Sequence, residues 1–176
     1  MNRLLDIAPE DRTPEQTEAF DRVAAGRGNI PTPYKVWIHS PQLALGMEQV
    51  GTFLNKRSSL TRREMEIGII LIANHWGGEY VLTNHKRGAR KAGFDDATID
   101  MMLSGERPTL PDAHEQAFYD LAATVISGGK PTDDEYARYA ADLGRNGIAE
   151  CLAVLGYYGA VAMAMKVHDV PLLAGD

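Results

Sequence analysis

With 176 residues the chain has the length of one domain, able to bury about 70% of the surface its unfolded form would expose, so a hydrophobic core can hold it without staples. Its single cysteine, Cys151, excludes an internal disulfide framework, a cysteine-based zinc site and a dithiol redox pair, and it points to a reduced, cytoplasmic setting. The formal net charge of −6 arises from scattered acids with no Lys/Arg stripe, which argues against nucleic acid or an anionic membrane as partner.

The opening "MNRLLDIAPEDRTPEQ" is charged and lacks the apolar stretch of a secretory signal. The longest apolar run, Leu152 to Met165, falls short of the ~20 residues that span a bilayer. The expectation is a soluble protein. Apolar residues recur at three- and four-residue intervals almost throughout, and alternating β-branched runs are absent, which predicts an all-α fold. Thr13-Pro14 opens a helix that ends near Gly26 to Asn29, with threonine as cap and proline in the first turn. "NIPTPY" reads as a loop leading to a short helical turn around Val36 to His39, and Ser40-Pro41 starts a helix running to about Lys56.

Thr61 with Glu64 three residues on is a capping box, and the helix it opens, with Ile67, Ile70 and Leu71 in period, stops at Gly77-Gly78. Tyr80 to Ala92 forms the next helix, closed by Gly93. A short helix from about Asp95 to Leu103 follows; Asp112 caps another to Ile126, and Thr132 caps one reaching Leu143. The last, from about Gly147 to Val167, is apolar nearly all round, as a core or interface helix would be. These elements make one compact domain of about eight helices spanning residues 1–176, with no repeat, low-complexity tract or composition shift to divide it.

The chemistry is concentrated in "HWGGEYVLTNH", His75 to His85. A two-glycine connection joins spatial neighbours, so the helices on either side form a central antiparallel hairpin. Glu66 lies eleven residues before Gly77 and His85 seven after Gly78. At a rise of ~1.5 Å per residue their heights differ by about 6 Å, and the two side chains can meet across an interaxial distance of about 8–10 Å. Glu79, six residues before His85, falls on another face. A carboxylate on an imidazole fixes the ring's tautomer, stabilises its protonated form and leaves the second nitrogen to move a proton. The same pair as a buried tie would only hold two helices in register; spacing does not separate the two.

The span from "LTRREMEIGIILIANHWGGEYVLTNHKRGARKAGF" to "LGYYGAVAMAMKVHDVPL" resembles the carboxymuconolactone decarboxylase-like superfamily, which also contains alkylhydroperoxidase D. The elements that carry the resemblance are Leu60 and Arg63, the Glu66 helix, His85 with Ala89 and Ala92-Gly93, and the tyrosine-bearing final helix ending in "VP". It implies an all-α alkylhydroperoxidase D-like domain assembled as trimers or hexamers, with Glu66 as relay carboxylate and His85 as relay histidine. The cysteines that the peroxidase branch carries seven and four residues before the histidine fall on Gly78 and Val81, neither of which can be oxidised. The "YEW" triplet of cysteine-free relatives reads Tyr80-Val81-Leu82, losing an acid unless Glu79 replaces it. The decarboxylase branch acts on a carboxylated lactone without metal or cofactor.

His75, Glu79 and His85 fit neither the HExxH nor the ExxH pattern, so no metal is expected there, and the resemblance implies that no cofactor is used. The resemblance places Trp37 and His39 in the segment lining the substrate pocket, and Trp37 also reads as an aromatic plug against the core. His75 and Trp76 are expected to close the mouth of the hairpin. Tyr80 is expected to wall the pocket, with either Tyr157 or Tyr158 facing it. Arg63 is a candidate for a substrate carboxylate, against the plainer role of a surface arginine. The resulting expectation is a cofactor-independent proton-transfer enzyme, decarboxylase or lyase in type, acting on a small organic acid or lactone. His85 would be its general acid/base and Glu66 the orienting carboxylate. The alternatives are a peroxidase-like protein using Cys151 alone and a catalytically silent oligomer.

Overall fold

The computed structural model describes residues 3–4 and 6–172, and among these there is no strand. Part of the opening segment weighed above, residues 1, 2 and 5, lies outside the described residues. After a 3-10 turn at Pro9–Asp11 come α1 (Pro14–Arg27), α2 (Thr32–Trp37), α3 (Pro41–Lys56), α4 (Arg62–Trp76) and α5 (Glu79–Lys91). Then follow α6 (Asp96–Ser104), α7 (Ala113–Ile126), α8 (Asp133–Asp142) and α9 (Gly144–Val167). The capping boxes at Thr13/Gln16, Thr61/Glu64 and Thr132/Glu135 are formed, each satisfying two backbone donors that the first turn would otherwise leave open.

Nine α-helices are described rather than about eight. The ninth is α2, which begins at Thr32 inside the stretch expected to be loop. Pro31 is its cap and Pro33 sits in its first turn, where a missing N–H costs nothing and the fixed φ suits a helix. The last helix starts at Gly144, three residues earlier than expected, because Leu143 caps both α8 and α9.

α4 is the centre of the molecule. Every residue from Glu64 to Ala73 is buried, and the helix packs against α5, α6, α7 and α9. Gly68 allows two of these approaches: a Cβ there would stand 2.8 Å from Val154 of α9 and 3.2 Å from Phe118 of α7. Ile67, Ile69, Ile70 and Phe118 are fully buried, each contributing about 1.5–3 kcal/mol relative to exposure. α9 is less enclosed than its composition suggests, since Leu152, Met163 and Val167 stand exposed along it. By length and composition it is apolar enough to cross a bilayer, but 56% of its apolar window is buried in the fold, as a core helix would be.

The hairpin forms where the glycines put it. Gly77 ends α4 in the left-handed region at φ 61°, and the Gly78 N–H closes on the Ala73 carbonyl at 2.8 Å. Next to this frame, Arg63 binds Glu115 at 2.6 Å and lies over the Phe94 ring, while His114 contacts Glu64. These contacts tie α4 to α7 and leave Arg63 committed to the frame.

Candidate active site

Glu66 and His85 meet across the hairpin. The Glu66 side chain is fully buried in the middle of α4, and its Oε2 lies 2.8 Å from Nδ1 of His85 on α5. Arg62, one turn earlier on α4, closes on Oε1 as an ion pair without hydrogen-bond alignment. Gly88, three residues after His85, makes the approach possible: a Cβ at that position would fall inside the van der Waals envelope of the Glu66 carboxylate. A buried carboxylate acting as acceptor dictates that Nδ1 carries the ring proton. Nε2 then has a lone pair, and among the described residues it has no hydrogen-bond partner.

A half-open cavity of about 410 Å³ adjoins this ring, lined by the 29–31 segment, α2, α5, α9 and Asn55 of α3. Hydroxyl and amide groups line it in pairs. Tyr80 donates to Thr32 at 3.0 Å, the Tyr34 and Tyr157 hydroxyls are 3.0 Å apart, and Asn55 donates to Tyr158 at 3.3 Å. The Tyr158 ring stands edge-on to His85 with centroids 5.4 Å apart. α5 presents two adjacent faces to the cavity, Tyr80 with Asn84 and Val81 with His85. Asn84, about 100° from His85 around the helix, therefore shares the cavity with it.

Of the residues expected to form a pocket, Tyr80, Tyr157 and His85 line the cavity, whereas Trp37, His39 and Trp76 do not. Trp37 is buried behind the wall, its ring 5.3 Å from that of Tyr34 and 6.0 Å from that of Tyr157, as a core plug. Because α2 starts at Thr32, the face it turns to the cavity is Thr32, Pro33 and Tyr34, and His39 emerges exposed beyond its end. Trp76 is 39% exposed in the last turn of α4, stacked edge-on against His75. Glu79 is exposed and lines a separate, smaller pocket with Gly77 and Lys166, so it does not restore the acid missing at Val81. Tyr34, Asn55 and Thr32 escaped the sequence reading because their helices carry no motif of their own.

No family model matches the chain, and no curated protein matches it. Solved structures do. An uncharacterized peroxidase-related protein from Silicibacter sp. TM1040 superimposes with a TM-score of 0.73 at 18% identity, covering 98% of this chain and 93% of that one. The debrominase Bmp8 superimposes with a TM-score of 0.69 at 14% identity, covering 97% and 92%. A Bmp8 variant in complex with 2,3,4-tribromopyrrole gives 0.67 at 14% identity, covering 97% and 91%. The chain has the alkylhydroperoxidase D-like fold.

In this alkylhydroperoxidase D-like chain the first of the two positions where the resemblance sets cysteines has no room for a side chain, and the second is buried. A Cβ on Gly78 would stand 2.8 Å from that of Ala162 on α9, and Val81 is 2% exposed. The double variant Gly78→Cys with Val81→Cys is expected to lower unfolding free energy by about 1–3 kcal/mol, the usual cost of overpacking. Denaturant melts under reducing conditions check this, and an unchanged midpoint would show that α9 yields freely. Cys151 is no substitute for the missing pair. It is fully buried, and burial, reinforced by the nearby Glu64 charge, pushes its thiol up to about 12, so the thiolate that attacks a peroxide does not form at neutral pH.

Proposed function

We propose that the chain is a cofactor-independent proton-transfer enzyme acting on a small organic acid or lactone, with decarboxylation or a related lyase reaction as its chemistry. The observation that carries the proposal is the buried Glu66 carboxylate 2.8 Å from His85 Nδ1, on a ring that also lines a 410 Å³ cavity. His85 takes a proton from the substrate through Nε2 and returns it to another atom. Glu66 holds the tautomer that makes this possible and stabilises the imidazolium between the two steps. Arg62, paired with the second carboxylate oxygen, offsets part of the charge that Glu66 brings into the core. A structure of the same fold that holds a small bromopyrrole supports a cavity suited to compact rings.

The test is turnover of a panel of small lactones and acids, followed by NMR in D2O. Activity is expected to survive dialysis against a chelator, the absence of added thiol, and the substitution Cys151→Ser. Turnover that requires an added metal or thiol, or that is lost with Cys151→Ser, would contradict the proposal and favour the lone-cysteine peroxidase.

The proposal includes self-association as a trimer or hexamer, with the outward face of α9 as contact. Leu152, Met163 and Val167 are 45%, 39% and 62% exposed along it. Light scattering is expected to give a multiple of the 19.3 kDa chain mass, and Met163→Glu to reduce it; a monomeric parent would contradict this part.

A further inference from the structure

The cavity beside His85 brings almost no charge of its own. Among the described residues that line it there is no Lys, Arg, Asp or Glu. Lys56, Arg57 and Arg62 line a separate pocket of about 200 Å³, and Arg62 is already held by Glu66. A carboxylate entering the cavity would therefore give up its hydration for hydroxyls and amides alone, with the Glu66 charge standing behind His85. An uncharged carbonyl meets neither penalty.

The polar groups that remain point to where that carbonyl goes. The Asn55 amide nitrogen donates to the Gly51 carbonyl at 2.8 Å and to the Tyr158 hydroxyl at 3.3 Å, so the phenol oxygen is engaged as an acceptor. Its own proton is left to donate, and no acceptor among the described residues takes it. Burial pushes the ionisation of Tyr158 upward, against the hydrogen bond from Asn55, so the phenol stays protonated. The edge-on packing of Tyr158 against His85 sets a fixed donor and a fixed base on one side of the same cavity.

Resting on the proton-transfer reading above, we infer that the substrate is an uncharged ring-sized carbonyl compound, a lactone or enone rather than a carboxylic acid, which keeps the proton transfer of that reading and sets decarboxylation aside in favour of isomerisation or exchange. Its oxygen accepts the Tyr158 hydroxyl while His85 Nε2 removes a proton from the adjacent carbon. The C–H bond breaks, its electron pair forms a carbon–carbon double bond, and the carbonyl π pair moves to oxygen. The enolate oxygen is held by Tyr158, and the proton sits on the imidazolium held by Glu66. Return of a proton to the same carbon exchanges it with solvent; return at a conjugated carbon isomerises the ring. Nothing is oxidised or reduced. Tyr158 is thus a catalytic residue, and Asn55 a positioning residue acting through it.

The experiment titrates the parent protein with an unsaturated five-membered lactone and with the same ring bearing a carboxylate, reading binding from ligand NMR and solvent deuterium incorporation beside the carbonyl. The uncharged ring is expected to bind roughly tenfold or more tighter. Tyr158→Phe, which keeps the ring packing, is expected to lower kcat for exchange about 100-fold, as loss of one donor to a developing oxyanion does, with KM little changed. Asn55→Ala is expected to lower kcat less, again without moving KM. Equal or tighter binding of the carboxylated ring, binding of neither ring, or an unchanged kcat in Tyr158→Phe would overturn the inference. Exchange that persists in His85→Gln would instead sink the proton-transfer reading on which it rests.

Discussion

His85→Gln is expected to lower turnover by about 10²- to 10⁴-fold, the usual contribution of a positioned acid/base group. The substitution isolates chemistry from structure. Glutamine still offers an N–H to Glu66 across the hairpin, and position 85 is only 19% exposed in its side chain, so the packing of α5 on α4 survives. What is lost is the lone pair on Nε2. The thermal midpoint is therefore expected to stay close to that of the parent while kcat collapses. A large drop in midpoint with no activity in the parent would show that the pair is a tie between helices, as the silent-oligomer alternative holds.

Glu66→Gln gives the second large effect and the sharper discrimination. Removing one partner from a fully buried ion pair ordinarily costs about 3–5 kcal/mol because a charge is left stranded in the core. Here neither partner is stranded. Arg62 is 55% exposed at its side chain and turns to water, and the His85 ring keeps a carbonyl acceptor in the glutamine amide. The stability loss is thus expected to be about 1 kcal/mol, the value of an ordinary hydrogen bond. Turnover should fall further, by roughly 10- to 100-fold, because the imidazolium loses a charge-assisted bond worth about 1.5–3 kcal/mol. Denaturation and kcat measured on one preparation check the pair of values. A stability loss of several kcal/mol with kcat preserved would reverse their roles.

The sequence carried the hairpin because its signals are local and chemical. Capping boxes satisfy a fixed number of backbone donors, and Gly77 supplies a left-handed residue that few other side chains tolerate. Antiparallel geometry then set Glu66 opposite His85 from residue counts alone. The cavity was less legible, since it depends on how α2 and α3 lie on the hairpin. Prolines at 31 and 33 signal a break as readily as a helix start, and reading them as a break moved α2 by four residues. That shift hid Tyr34 and Thr32, while the resemblance had set Trp37 and His39 at the pocket, which α2 in fact lines with Thr32, Pro33 and Tyr34. Gly88 was also illegible, because a glycine inside a helix shows its purpose only when the neighbouring carboxylate is seen against it. Trp76 was assigned to the mouth from its place in the chain, but α4 carries it past the cavity to the exposed end of the hairpin.

The whole account depends on which nitrogen of His85 carries the proton. Nitrogen-15 NMR of the imidazole, with the ring neutral, reads this directly. The account predicts a protonated Nδ1 bonded to Glu66 and an unprotonated Nε2, a pattern that Glu66→Gln weakens. A ring protonated at Nε2, or one averaging between tautomers as an imidazole free in water does, would contradict it.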